Sequence, residues 1–460
     1  MTARGMTESA GPTGEDEAGV WVPVLTGSDA STALAVVEGI ADDLAAYELV
    51  RPTALDDAGS LASGRAGIAL FHLYRFRATG NPDARAEAIR MLEAAIEDAA
   101  AVPGGHGLFG GLPGVGFAVA HAAHWLGADA DDLLTDVDAA LLRLVESSPW
   151  RGPLGLVDGL VGLGVYGLER LPSPAGARLV AATVARLAEG AEHRDGGITW
   201  STPPSLLPDP WPRLTPFGRF DLGVAHGVPG VIAFLARACA AGFEDPARRL
   251  LGGAVTWLRD QRQTGSDFDG ASFPGWAALG TEPVGPARTA WCYGDPGVAA
   301  ALAAAARCTG RSDWLEAALA LARSAARRPM EKTGVLDGGL CHGAGGLGLV
   351  FARLYHASGD PALGDTARRW FTQTLALARH GVGFGGYSAW RYRHEATGRW
   401  EDDPGLVEGA AGVGLALLAA ATSLEPAWDR LLLLSSHPRG LVPAGAGVVM
   451  DTEGREHGGR

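Results

Sequence analysis

The chain has 460 residues, of which 47% are hydrophobic and 20% are charged, a composition that is ordinary for a folded protein with a large core and excludes a disordered or collagen-like chain. A formal net charge of −14 argues against nucleic acid as a partner, because affinity for nucleic acid comes largely from Lys and Arg side chains that neutralise phosphates. Four cysteines in so long a chain argue against a disulfide scaffold and favour a reducing, cytoplasmic location.

The first residues are polar and acidic and lack the apolar core of a signal peptide. We predict a disordered N-terminal tail over residues 1–30 and a polar C-terminal tail over residues 449–460. The longest uncharged apolar runs, such as residues 410–422, are shorter than the roughly 18 residues that span a bilayer. No transmembrane segment is therefore expected, and peripheral membrane contact stays open.

Between these tails, a Gly-x-x-Gly motif followed by a small, apolar stretch occurs seven times. The motifs start about 48 or about 67 residues apart, at Gly64, Gly111, Gly159, Gly227, Gly294, Gly343 and Gly409. Each apolar stretch predicts a helix that is buried on all sides, and the charged, amphipathic stretch before the next motif predicts an exposed helix. The pattern predicts an all-α protein over residues 36–448: an α/α toroid of seven helical hairpins, with inner and outer rings of seven helices.

Three of the spacings contain an additional irregular segment. These segments are residues 193–220, rich in Pro and Trp, residues 259–290, and residues 381–404, rich in Gly and aromatic residues. Long irregular loops in compact folds are usually lids or binding loops. Such loops near the mouth of the toroid would suit a peptide substrate, and we expect a short hairpin in the third.

Two cysteines and one histidine lie at the repeat motifs. Cys292 and Cys341 each stand two residues before a first glycine, and His342 follows Cys341. Two thiolates and an imidazole are typical zinc ligands, and a set of only three favours a catalytic site with an open position. Since a metal-bound thiol is deprotonated, the expected reaction is attack by a substrate thiolate on an electrophilic carbon. Cys239 and Cys308 lie in Ala-rich helical stretches and are interpreted as structural thiols.

Three further residues are candidates for catalysis. His226 stands directly before a repeat glycine, as a general acid or base or, alternatively, as a core histidine bonded to the backbone. Arg288 could hold a developing oxyanion, although a solvated charge is the commoner role of such an arginine. Tyr293 is a candidate hydrogen-bond donor. His121 and His124 share one predicted helix without an acidic or thiol partner and are interpreted as structural.

These motifs resemble those of the lanthipeptide cyclase (LanC, lanthionine synthetase C) family. The matching segments are Phe-Gly-Arg-Phe-Asp-Leu-Gly-Val-Ala-His-Gly-Val-Pro-Gly at residues 217–230, Trp-Cys-Tyr-Gly-Asp-Pro-Gly at residues 291–297, and Cys-His-Gly at residues 341–343. The seven repeats extend the resemblance over roughly residues 36–448. It implies an α/α toroid that binds Zn²⁺ through two cysteines and a histidine, here Cys292, Cys341 and His342.

The resemblance also implies an activity. Members of the family add cysteine thiols of a dehydrated, leader-bearing precursor peptide to dehydroalanine or dehydrobutyrine, which forms lanthionine or methyllanthionine rings. The thiolate attacks Cβ, and the enolate is protonated at Cα. Carried over, His226 is the acid or base, and Arg288 and Tyr293 line the site. A separate dehydratase is expected as a partner, because nothing in this chain resembles a dehydratase or kinase domain.

The chain departs from the family at one position. The third repeat of the family carries an Asp four residues before its first glycine, and that position is Gly155 here. Asp158 is the candidate replacement. This departure keeps open a catalytically weak, zinc-stabilised peptide-binding scaffold, and a further alternative adds glutathione or another free thiol to dehydroamino acids. A zinc prenyltransferase is disfavoured, because no basic cluster for a diphosphate is present.

Overall fold

The computed structural model describes residues 21–47, 58–101, 105–263, 270–279, 285–391 and 398–435. Across these residues the chain forms two concentric rings of α-helices. The inner helices each begin directly after the first glycine of a motif: α2 (Arg65–Thr79), α4 (Leu112–Leu126), α6 (Leu160–Glu169), α9 (Val228–Ala240), α11 (Asp295–Thr309), α13 (Ala344–Ser358) and α15 (Ala410–Ala421). The outer helices are α1 (Gly27–Ala46), α3 (Pro82–Ala101), α5 (Ala130–Val145), α7 (Pro174–Glu189), α10 (Glu244–Asp260), α12 (Ser312–Ala326) and α14 (Pro361–Ala376). The predicted all-α toroid of seven hairpins is confirmed.

The toroid closes between its first and last repeats. Helix α15 packs against α2, and its outer partner is α1, which precedes the first motif in the chain. Trp21 and Leu25 are buried beside this contact, where the Trp21 indole N–H donates to the carbonyl of Ala419 over 2.8 Å. The predicted tail boundary at residue 30 is therefore wrong, because Trp21, Val24 and Leu25 are buried and α1 already begins at Gly27. Residues 1–20 and the predicted tail 449–460 lie outside the described residues.

A closed ring of backbone hydrogen bonds joins the seven motif loops at one end of the barrel. In each loop the participating residue stands two positions before the first glycine. Its N–H donates to the carbonyl of the corresponding residue in the next repeat over 2.9–3.3 Å, and the seventh donates to the first. The seven ring residues are Ala62, Phe109, Val157, Ala225, Cys292, Cys341 and Val407. This hydrogen-bonded ring sets where the side chains that follow it in sequence are placed.

The second glycine of every motif is required by a close approach. A Cβ atom on any of these glycines would lie 1.9–2.5 Å from the carbonyl oxygen of the residue six positions earlier. No side chain fits at such a distance, so the first turn of each inner helix packs directly against the backbone of its own motif loop. The repeated glycine thus follows from packing, as the sequence pattern indicates.

The segment after α15 closes the centre of the barrel. It forms a 3₁₀ helix over Ala427–Leu432, with Trp428 and Asp429 fully buried. Arg353 on α13 pairs with Asp429 over 2.7 Å. The indole N–H of Trp291, directly before the ring residue Cys292, donates to the carbonyl of Leu432 over 2.9 Å. This segment therefore supports the ring from inside the barrel.

The three long loops carry short strands. In the first, β1 (Glu192–Arg194) pairs with β2 (Gly197–Thr199), followed by the short helix α8 (Trp211–Leu214). β3 (Arg219–Asp221) pairs with β4 (Trp276–Ala278) of the second loop, and β5 (Ala389–Arg391) forms the expected hairpin with β6 (Arg399–Glu401) in the third. Among the described residues, no helix combines the length and apolar character needed to cross a bilayer.

Gly114→Ala tests the close approach at the motif glycines. Its Cβ would lie 2.0 Å from the Leu108 carbonyl oxygen, so we expect a loss of about 1–3 kcal/mol in unfolding free energy, measured by denaturant titration. Gly252→Ala on α10 is the control, because its Cβ meets no atom within 4 Å. That variant should gain about 0.4–1 kcal/mol. Equal stabilities for the two variants would contradict the packing argument.

Candidate metal centre and active site

Two neighbouring ring positions bring the sequence-predicted metal ligands together. Cys292 N–H donates to the carbonyl of Cys341 over 3.2 Å, and His342 follows directly. The ligand atoms of Cys292, Cys341 and His342 all lie within 4.8 Å of one another. The hydrogen bond from Cys341, together with the imidazole of His342 and the guanidinium of Arg288, holds the pKa of the Cys292 thiol well below its ordinary value. The surroundings of Cys292 therefore favour its thiolate form.

The residues present fit a zinc ion. The Nε2 atom of His342 is buried and has no hydrogen-bond partner, which is costly for an imidazole that has no other role. Two cysteine sulfurs and one histidine nitrogen form a donor set that Zn²⁺ prefers, and a catalytic site has three protein ligands of this kind. Cys292, Cys341 and His342 would hold the ion.

His226 belongs to the motif loop next to that of Cys292, and it is paired with an acidic side chain. It follows the ring residue Ala225, and its Nδ1 lies 3.3 Å from Oδ1 of Asp158, which follows the ring residue Val157. The two side chains are 38% and 50% exposed. Burial disfavours the imidazolium, but the hydrogen bond to Asp158 and the negative charges of Asp158, Asp221 and Cys292 outweigh it and raise the pKa of His226. His226 thus holds its proton to higher pH than an ordinary histidine.

The backbone explains why Gly155 and Asp158 occur together. A Cβ on Gly155 would lie 2.6 Å from Oδ1 of Asp158 and 2.9 Å from Cα of His226. Position 155 therefore has no room for a side chain while Asp158 faces His226. The Asp158 carboxylate occupies the space beside the imidazole that a side chain at position 155 would need.

Tyr293 lines the site, but its hydroxyl is engaged elsewhere. Its ring lies against that of His226, with centroids 6.1 Å apart and the planes 23° from parallel. Its Oη donates to Oδ1 of Asp221 over 3.1 Å, and burial together with the charge of Asp221 raises the pKa of Tyr293 well above its ordinary value. Asp221 also accepts hydrogen bonds from Arg219 and Thr202. The ring of Tyr293 therefore packs beside His226, while its hydroxyl donates to Asp221 and not into the open cavity.

Sequence reasoning missed Asp221 and Glu408. Asp221 lies within the segment 217–230 that carries the family resemblance, five residues before His226, and is buried at the end of β3. Glu408 follows the ring residue Val407, which is the register of His226 and His342. That register was the available signal for Glu408, whereas the contact of Asp221 with Tyr293 has no signature in sequence.

Asp158, Asp221, His226, Cys292, Tyr293, His342 and Glu408 all line one cavity of about 660 Å³. Cys341 lies behind Cys292 and His342 and is not itself a lining residue. The cavity is also bordered by Arg288 and by residues from all three long loops. The loops contribute Leu206, Trp211, Trp276, Trp390 and Arg391. The predicted lids thus form the apolar and aromatic walls of the cavity that contains the thiol cluster.

The histidine and cysteines that were interpreted as structural lie away from this cavity. His121 does have an acidic partner, since its Nδ1 lies 2.9 Å from Oε1 of the buried Glu169. The side chain of His124 lies outside the described part of the chain. Cys239 on α9 and Cys308 on α11 are free thiols within hydrogen-bonding reach of each other, and neither lines the cavity.

Cys292→Ala tests the metal ligands. Removing one of three protein ligands should lower the zinc content of the purified protein from about one equivalent to near zero, measured by elemental analysis. The matched control is Cys308→Ala, which removes a thiol outside the cluster and should retain the metal. Full zinc occupancy in Cys292→Ala would refute the ligand assignment.

Comparisons with known proteins bear on the family and the fold of this chain. The family model described as lanthionine synthetase C-like protein matches residues 56–433. Glutathione S-transferase LANCL1 from Danio rerio is 28% identical over 163 residues, which cover 35% of this chain and 36% of that protein, so the chain spans only about a third of this curated relative. A solved structure of nisin cyclase has the same fold, with a TM-score of 0.69 and 17% identity over 88% of this chain and 98% of that one. This chain belongs to the lanthionine synthetase C-like family.

Proposed function

We propose that this protein is a zinc-dependent lanthipeptide cyclase. It would add cysteine thiols of a dehydrated, leader-bearing precursor peptide to dehydroalanine or dehydrobutyrine and so close lanthionine and methyllanthionine rings. The observation that carries the proposal is that the Cys292, Cys341 and His342 cluster opens into the same cavity as the Asp158–His226 pair. Membership of the family and the fold shared with nisin cyclase support it.

The reaction is an addition without net oxidation or reduction. A bound zinc ion would supply a coordination position at which an incoming thiol loses its proton. The sulfur forms a bond to Cβ, the Cα–Cβ double bond breaks, and its electron pair moves onto the neighbouring carbonyl as an enolate. A proton then adds to Cα, so the product contains every atom of the thiol and the alkene.

The chain's own residues are suited to handle the proton and the enolate. His226, with its pKa raised by Asp158, can deliver the proton to Cα and later regain one from solvent or from a thiol. In this proposal Asp158 takes the part of the acidic residue that the family carries at the position of Gly155. Arg288 lies at the same cavity, where its positive charge would stabilise the enolate oxygen.

The walls of the cavity favour a peptide as the thiol donor. The loops supply three tryptophans and several apolar residues, whereas a small polar thiol would need few such contacts. The second candidate is addition of glutathione, and it is favoured by the relative named glutathione S-transferase LANCL1. A separate dehydratase partner and a cytoplasmic location remain predictions from the sequence.

The deciding experiment incubates the zinc-loaded protein with a dehydrated peptide that contains cysteine, with and without glutathione. The cyclase proposal expects thiols to become resistant to alkylation at unchanged peptide mass without glutathione. A glutathione adduct as the main product would favour the second candidate. If neither product forms, the peptide-binding scaffold is the remaining interpretation.

His226→Ala tests the proton donor. The variant should keep its zinc but lose about 100-fold or more in kcat, because a positioned acid or base typically contributes that much. Alkylation-quenched mass spectrometry follows the rate, and elemental analysis follows the metal. Wild-type cyclisation at equal zinc content would rule out His226 in this role.

Asp158→Asn tests the origin of the raised pKa. If His226 acts as the acid, activity falls as pH rises through its pKa, and removing the Asp158 charge should move that fall to lower pH. Gly155→Ala should cause the same shift, because its Cβ displaces the Asp158 carboxylate. Gly110→Ala is the control, since its Cβ meets nothing within 4 Å. If the alkaline limb of the pH–activity profile stays in place in both Asp158→Asn and Gly155→Ala, the result contradicts the pairing of Asp158 with His226.

A further inference from the structure

The seventh motif loop places an acidic side chain at the candidate metal centre that the reaction described above does not use. Glu408 directly follows the ring residue Val407, as His342 follows Cys341 in the neighbouring repeat. It lines the same cavity as Cys292 and His342, and its side chain is 20% exposed. A carboxylate so enclosed needs charged or polar partners.

The two oxygens of Glu408 face different partners. Oε1 lies 3.8 Å from Nδ1 of His342, and Oε2 pairs with the guanidinium of Arg391. Glu408 does not belong to the group of ligand atoms that meet within 4.8 Å among the described residues, which comprises Cys292, Cys341 and His342. Its carboxylate is therefore placed beside a metal ligand, not as a ligand.

Arg391 connects this carboxylate to the third lid. It is the last residue of β5 and also pairs with Asp403. The adjacent residue of β5, Trp390, donates its backbone N–H to Oδ2 of Asp337 over 3.0 Å, and Oδ1 of Asp337 accepts the Gly339 N–H over 3.1 Å. The carboxylates of Glu408, Asp403 and Asp337 thus fasten β5 to the loops that surround the metal ligands.

We propose that Glu408 is a positioning residue that orients His342 for the metal and ties the β5–β6 hairpin to the metal centre. The inference rests on the proposed metal site. The charge of a carboxylate this close to Nδ1 of a ligating imidazole favours one orientation of the ring, and losing such a partner typically costs 10- to 100-fold in metal affinity. Glu408 acts through His342 and does not touch the reacting carbon.

The test is Glu408→Gln, which keeps the shape of the side chain and removes its charge. The zinc dissociation constant of the full-length protein, measured by chelator competition, should rise at least tenfold, and the absorption spectrum of the Co²⁺-substituted protein should change. Glu401→Gln, the same substitution on β6 of the same hairpin, is the matched control and should leave both unchanged. All three proteins should remain folded without metal, as followed by thermal unfolding.

The possible results distinguish the positioning role of Glu408 from the proposed metal site. Wild-type zinc affinity and an unchanged Co²⁺ spectrum in Glu408→Gln would overturn the positioning role and leave the metal site standing. Equal weakening in Glu401→Gln would overturn it as well, because the effect would belong to the hairpin in general. A wild-type protein that binds no zinc would refute the proposed function itself. If Glu408→Gln loses its metal-free fold, Glu408→Asp replaces it under the same criteria, with an intermediate affinity expected.

Discussion

A closed circle of seven backbone hydrogen bonds is the constraint on which the rest of this structure depends. Each bond joins residues from different repeats, so no loop can shift along the barrel without breaking two of them. Buried backbone groups that lose their partners are costly, and the circle therefore keeps all seven loops in one register. The motif glycines permit this arrangement, because any side chain there would meet a carbonyl oxygen.

The chemistry follows from the position after each ring residue. Asp158, His226, Tyr293, His342 and Glu408 occupy that position in five consecutive repeats, and all five line the cavity. Cys292 and Cys341 are themselves ring residues, so their backbone is fixed by the same hydrogen bonds that align the loops. A centre assembled in this way requires little reorganisation when a ligand enters, which is what electrostatic stabilisation of a transition state needs. Side chains distant in sequence are thereby held on a rigid frame.

Much of this arrangement could be predicted from sequence, because the repeat and the candidate metal ligands use residue types with strong preferences. Gly-x-x-Gly marks every inner helix, and a Cys and a Cys-His pair at the same register of neighbouring repeats mark the candidate metal cluster. The start of α1 was missed because the burial of Trp21 and Leu25 depends on α15, some 400 residues later in the chain. The Asp158 carboxylate excludes a side chain at position 155 because the two would lie too close together, and the sequence does not contain that distance. Asp221 was missed for a related reason, since its partner Tyr293 comes from the next repeat.

The account stands on the claim that neighbouring repeats converge on one zinc ion through two sulfurs and one nitrogen. X-ray absorption at the zinc edge of the purified full-length protein tests this claim most directly. The account predicts two protein sulfurs at about 2.3 Å and a histidine nitrogen at about 2.0–2.1 Å from the metal, with a third sulfur on addition of a cysteine-containing substrate peptide. A protein without zinc, or a zinc ion without sulfur neighbours, would contradict it.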